Sequence, residues 1–314
     1  EARVLPQENL PVRFITAGKL KGMSIGSILR TLLTLPVSLA QAFLLLGEER
    51  PDVVIGVGGY ASGPVGATAW LRRIPVVIVE PNSYAGLANR LLGRIAKKVV
   101  LSFPAEDRQG FFARTKKVNV GPLVRRGIEA GVRKEALRQF GLEQYKFTVF
   151  VMGGSGGAHA INMAMKDAAK FLKQDHSLQV LHQTGAKDVD AVKQGYKEAG
   201  VPATVLPYIS DMAGAYAAAD LVVSRSGATT VAELAVCGKQ AVLIPYPYAA
   251  DNHQEHNARS LANRGAIEVI VQKDLTPDLL AAAIQIRASS TRGGTVPMPA
   301  TAAEEIARLC KDYV

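Results

Sequence analysis

The sequence predicts a doubly wound α/β architecture, repeated in two domains. Three observations predict it. Short β-branched runs recur along the chain, each followed by a turn and then a stretch of helical periodicity. The runs are apolar throughout rather than alternating, which is the pattern of parallel strands covered on both faces. At 314 residues the chain is long for one domain and long enough to bury a sizeable core in each of two.

In the first half the runs are Val53–Val57, Val76–Val79 and Val99–Ser102. In the second they are Thr148–Met152, Gln179–Gln183, Leu221–Ser224 and Ala241–Pro245. Alternating βα units of this kind build parallel sheets with helices on both faces. The pattern pauses across residues 118–147 and restarts at Thr148, and Gly121-Pro122 reads as the hinge. The expected division is a first domain over 1–122, a second over 123–290, and a tail over 291–314. Within the tail, Thr291–Pro299 reads as a loop and Ala300–Tyr313 as an amphipathic helix. The most apolar stretch, Ile25–Leu46, is interrupted by Arg30, Pro36 and Gln41, whereas a spanning helix needs about 20 clean apolar residues. It reads as one or two helices, partly core and partly interfacial. A doubly wound domain opens on a strand, a glycine loop and a helix. Glu1-Ala2-Arg3 does not begin such a unit, so the first domain is expected to be truncated at its N-terminus.

Composition narrows the function. Cys237 and Cys310, the two cysteines, are far apart and give neither a disulfide framework nor a zinc pattern. The net charge of +10 is uneven: residues 1–122 hold 16 Lys and Arg against 8 Asp and Glu, and residues 123–314 hold 21 against 19. Such an excess is either a solvated basic face or an attraction to an anionic surface. No nucleic-acid motif and no basic–aromatic interleaving accompanies it, so anionic membrane lipid, not nucleic acid, is the expected partner.

Four loops carry the chemistry. Gly153-Gly154-Ser155-Gly156-Gly157-Ala158 lies between the strand Thr148–Met152 and the helical stretch His159–Leu172. A glycine loop there lets backbone approach a phosphate at a helix N-terminus. Its spacing is neither a P-loop nor GxGxxG. Ser224-Arg225-Ser226-Gly227-Ala228-Thr229-Thr230-Val231-Ala232-Glu233 repeats the arrangement after Leu221–Ser224, with Glu233 inside the helix where an acid can accept from ribose hydroxyls. Residues 245–257 add prolines, tyrosines, amides and imidazoles. Asp251, His253 and His256 could be read as metal ligands, but the spacing is poor for that, and the amides suit sugar hydroxyls better. In the first domain, residues 56–64 and Glu80-Pro81-Asn82-Ser83-Tyr84-Ala85-Gly86 both follow strands, where open α/β sheets place ligands. Arg125, just past the hinge, is placed to meet a diphosphate.

Taken together, PDVVIGVGGYASGP (51–64), IPVVIVEPNSYAGLANRLL (74–92), GPLVR (121–125), VMGGSGGAHAIN (151–162), YISDMAGAYAAADLVVSRSGATTVAEL (208–234) and IPYPYAADNHQEHNA (244–258) resemble the MurG family of glycosyltransferases. The resemblance runs over nearly the whole chain. It implies a GT-B fold, two Rossmann-like domains whose parallel sheets face a cleft. It implies inverting transfer of N-acetylglucosamine from UDP-N-acetylglucosamine to the 4-hydroxyl of undecaprenyl-diphospho-N-acetylmuramoyl-pentapeptide, peripherally at the cytoplasmic face of the bacterial inner membrane. No cofactor and no metal is implied.

By the same resemblance, Arg125, Ser155, Ala228, Thr229, Thr230, Val231, Ala232, Glu233 and Gln254 would contact the donor. Ile209 would hold uracil through its backbone, and Asn82 would contact substrate. Tyr60 and Glu80 are candidates to support catalysis. Three departures stand out: Gly156 where the family has Gln, Pro122-Leu123 where it has Asn-Pro, and no GGTGGH loop. The histidine of that loop is the family's general base, and the resemblance places it upstream of Glu1. The chain alone is therefore expected not to turn over. Two other readings stay open: a UDP-sugar-binding fragment without activity, or a related lipid glycosyltransferase with another acceptor.

Overall fold

The computed structural model describes residues 11–16, 25–103, 110–112, 117–173, 177–263, 265–289 and 294–314, with only the backbone over 25–32. Two parallel sheets organise it. The first has the order β1 (Val54–Gly56), β2 (Val76–Glu80), β3 (Lys98–Leu101), β4 (Lys117–Asn119). Helices α1 (Ile25–Glu49), α2 (Ser62–Leu71) and α3 (Leu87–Leu92) accompany it. The stretch read as one or two helices is a single helix that continues through Pro36. β2 is buried at every residue, which is why its sequence is apolar without alternation. Val76 and Ile78 meet Leu46, Ala69 and Leu92 on one face, while Val77 and Val79 meet the opposite face.

That opposite face is covered by the tail. The helix α11 (Ala302–Cys310) packs Ala302, Ile306 and Cys310 against Val77, Val79 and Val100. The tail thus returns to complete the first domain's core. Lys98 reaches Asp312 at 2.6 Å at the end of this helix.

The second sheet contains β5 (Phe147–Met152), β6 (Leu178–Gln183), β7 (Ala203–Leu206), β8 (Leu221–Ser224), β9 (Gln240–Leu243) and β10 (Ile267–Val269). Their order across the sheet is β10-β9-β8-β5-β6-β7, all parallel. Counted from β5 as strand one, this is the 3-2-1-4-5-6 order of the Rossmann fold, and its topological switch point lies between β5 and β8. Alternate residues of β5 enter different cores: Phe150 and Met152 lie on one side, Val149 and Val151 on the other. Helix α5 (His159–Leu172) has the limits that the sequence predicts. Strands β4, β7 and β10 escape the sequence reading because they are short and partly exposed, and so lack an apolar run.

The difference between the sheets has a measurable consequence. β1 and β4 are each three residues long and β4 is not buried, whereas β5, β6, β8 and β9 are buried at every residue. Regions with fewer buried apolar contacts open at lower free energy. Limited proteolysis should therefore cut within residues 50–122 before it cuts within 148–289. An early cut in the second domain would contradict this.

Candidate active site

The switch point is flanked by two glycine turns that run straight into helices. After β5, a side chain at Gly153 would collide with the backbone of Ala158, and one at Gly157 with the Thr184 carbonyl; Gly154 has φ of 91°. These glycines fold the loop tightly against the end of β6. At Gly156 a Cβ would meet nothing within 4 Å, so the glutamine usual in the family would have open space there. Ser155 is exposed. Helix α5 opens with no side-chain cap, which leaves its first N–H groups to a ligand.

After β8 the same construction recurs. Helix α8 (Ala228–Cys237) starts behind Gly227, also without a side-chain cap. Thr229 is exposed, and Ala228 and Thr230 are half-buried. Val231 and Ala232 follow in the same helix. Both side chains pack into the second domain's core, and the Val231 N–H already bonds the Gly227 carbonyl. Helical periodicity turns these two inward and returns Glu233 to the site.

Glu233 is almost completely buried, and both carboxylate oxygens are engaged. Arg125 approaches Oε1 at 3.2 Å from Nε, and the Tyr216 hydroxyl donates to Oε2 at 2.9 Å. Arg125 itself is 56% exposed, against 3% for Glu233, so its guanidinium borders solvent while holding the acid.

Side-chain amides tie the loops together. Gln183 donates to the Gly154 carbonyl at 2.9 Å and accepts from the Ile209 N–H at 2.8 Å. A base docking on this segment therefore finds the Ile209 carbonyl, since the N–H is occupied. Gln254 accepts from the N–H groups of Ser226 and Tyr246 through its one oxygen. Arg225, half-buried, holds the Ile244 and Pro245 carbonyls and Gln272; its work is to brace the loop after β9.

In the first domain, Glu80 is buried and its carboxylate accepts four hydrogen bonds, from the Asn82 backbone and side chain, the Gly86 N–H and the Asn89 side chain. Those bonds shape the loop and present Asn82. They fill the carboxylate, so Glu80 organises the site and is not placed to meet a substrate. Tyr60 is exposed on the loop after β1.

Residues 148–311 match the glycosyltransferase family 28 C-terminal domain, and residues 1–101 match the glycosyltransferase family 28 N-terminal domain. The chain belongs to glycosyltransferase family 28. A relative from Anaeromyxobacter sp. (strain K), named UDP-N-acetylglucosamine--N-acetylmuramyl-(pentapeptide) pyrophosphoryl-undecaprenol N-acetylglucosamine transferase, is 44% identical over 100% of this chain and 82% of its own length. One of the same name from Myxococcus xanthus is 40% identical over 100% and 82%. MurG of Acinetobacter baumannii, known from its crystal structure, shares 31% identity with a TM-score of 0.71, covering 100% of this chain and 83% of its own. The GT-B arrangement of two Rossmann-like domains is thus the fold of this family 28 member.

In this family 28 chain, the two domains meet through α9 (His253–Ala262). Asn257, fully buried, donates to the Asn82 side chain and the Ser226 carbonyl, and accepts from the N–H and hydroxyl of Ser83. Arg90 pairs with Asp251 at 3.0 Å, and Tyr84 stacks on His256 with ring centroids 4.9 Å apart. Asp251 and His256, weighed in sequence as metal ligands, are thus occupied in the domain contact, while His253 faces the Ala250 carbonyl. Sequence reasoning assigned no role to Gln183, Tyr216 or Asn257. A separate cavity of about 560 Å³ is lined by Ile128, Tyr216, Val236, Cys237 and Met298; none of the predicted donor residues lines it.

Proposed function

We propose that this chain is the N-acetylglucosaminyltransferase that its relatives are named for. It would take the sugar from UDP-N-acetylglucosamine and attach it to the 4-hydroxyl of the lipid-linked muramoyl-pentapeptide. The observation that carries the reading is the pairing at one switch point of two uncapped helix starts with Glu233 and Arg125. The α5 and α8 N-termini and Arg125 supply positive potential for the diphosphate. Glu233 supplies acceptors for the ribose hydroxyls, and the Ile209 carbonyl an acceptor for uracil N3–H. Gln254 presents its NH2 toward the sugar. On the first domain, Asn82 faces the acceptor.

The acceptor hydroxyl attacks the anomeric carbon from the face opposite UDP, and its proton passes to a general base. The carbon–oxygen bond to UDP breaks as the new one forms, which inverts the anomeric centre. Charge developing on the departing diphosphate is met by groups already aimed at it. The test is transfer by the full gene product with UDP-N-acetylglucosamine and the lipid-linked muramoyl-pentapeptide, followed by chromatography of the lipid product. Donor turnover onto a different lipid sugar, with none onto the muramoyl acceptor, would overturn the assignment of the acceptor.

The same reading places the enzyme peripherally on the cytoplasmic face of the inner membrane, against anionic lipid. Among the described residues no helix is long and apolar enough to cross a membrane. Helices α1 and α2 instead expose Leu33, Val37, Phe43, Leu44, Trp70 and Leu71. Arg72 lies over the Phe43 ring at 4.4 Å, at the edge of this face. Lys19 and Lys21 lie outside the described residues. Apolar side chains beside basic ones suit an anionic interface, at about 1 kcal/mol per basic residue. Co-sedimentation with phosphatidylglycerol vesicles should fall as salt rises, and Leu44→Glu with Trp70→Glu should abolish it. Equal binding to neutral vesicles would contradict the role of charge.

A further inference from the structure

The ion pair of Arg125 with Glu233 poses a problem for the donor site. Arg125 is the group placed to meet the diphosphate, yet here it also holds the acid assigned to the ribose. A guanidinium that turns to phosphate gives up part of its hold on the carboxylate. Glu233 is nearly inaccessible to water, so its carboxylate needs another donor to stay satisfied and oriented. Carboxylate rotation about its terminal torsion is soft, and the direction in which its lone pairs face depends on what grips the second oxygen.

Tyr216 is that grip. It lies in α7 (Met212–Ala218), its side chain is fully buried, and its hydroxyl reaches Glu233 Oε2 at 2.9 Å. Its ring stands edge-on to Phe150 of β5 at 5.9 Å, which locks the phenol against the central strand. Burial and the neighbouring Glu233 push the phenol far above its ordinary range, so it remains a donor at every working pH. We infer that Tyr216 is a positioning residue for the donor nucleotide: it fixes the Glu233 carboxylate to receive the ribose hydroxyls while Arg125 turns to the diphosphate. This rests on the proposed role of Glu233.

Titration calorimetry with UDP and 2′,3′-dideoxyuridine diphosphate tests it on the 314-residue chain. The unaltered chain should bind UDP more tightly than the dideoxy nucleotide. Tyr216→Phe should weaken UDP about tenfold and leave the dideoxy nucleotide unchanged. In a Glu233→Ala background, Tyr216→Phe should cost nothing further, because the two act as a unit. Arg125→Ala alters an exposed residue. It should weaken both nucleotides by the same factor and keep their ratio, since Tyr216 still holds the acid. Tyr216→Phe that retains the full ratio, or weakens both nucleotides alike, would overturn the inference. So would a ratio that collapses in Arg125→Ala, which would make the arginine the orienting group. An unaltered chain that cannot tell the two nucleotides apart would instead overturn the ribose reading beneath it, and this inference with it.

Discussion

Asn257→Leu should lower kcat/KM roughly a hundredfold in the transfer assay of the full gene product while barely moving the melting temperature. Asn257 uses its whole amide: two hydrogen bonds accepted from Ser83 and two donated, to Asn82 and Ser226. Leucine has similar volume and none of these groups. In the closed cleft it would strand a buried N–H and a buried carbonyl, at about 1–3 kcal/mol each. The partners lie on different domains, so opening the cleft returns them to water and relieves the loss. The penalty therefore falls on closure and on the position of Asn82, not on folding of either domain. Small-angle scattering with saturating UDP should show the variant more open than the unaltered chain. A variant that closes and turns over normally would show that the contact is incidental.

Glu233→Ala should weaken UDP binding by about 1–3 kcal/mol, the usual loss for hydrogen bonds to a charged group. A second effect accompanies it. The Tyr216 hydroxyl would be left buried without its acceptor, so the variant should also melt at a lower temperature. Arg125, being more than half exposed, stays hydrated and adds little. Calorimetry at a temperature where circular dichroism shows both proteins folded separates the two effects. Unchanged UDP affinity in the folded variant would remove Glu233 from the site.

Much of this architecture is legible in sequence because burial on both faces writes itself as an unbroken apolar run. β2, β5 and β8 are of that kind, and the loop after β5 carries glycines, Gly153 and Gly157, that leave no room for a side chain against neighbouring backbone. What stays hidden depends on long-range packing. The tail helix α11 shows an amphipathic pattern, but no local signal says that its apolar side covers the first sheet and not the second. Val231 and Ala232 belong to a motif that suggests contact, and only the helix phase shows that they face inward. Tyr216 and Asn257 both lie inside segments that carry the family resemblance. Their roles appear only once folding brings partners 17 and 31 residues away, or from the other domain, within hydrogen-bond distance. Glu80 reads in sequence only as a candidate to support catalysis, because a chain of letters cannot show that its carboxylate accepts four hydrogen bonds from the loop.

The central claim is that the nucleotide binds at the switch point of the second sheet. Hydrogen–deuterium exchange with and without saturating UDP tests it most directly. Protection should appear in residues 153–158, at Ile209–Ser210, in residues 224–230 and at the start of α9, with little change in α10 (Pro277–Ser289). Protection confined to the cavity lined by Ile128, Cys237 and Met298, or none in the two glycine turns, would contradict the account.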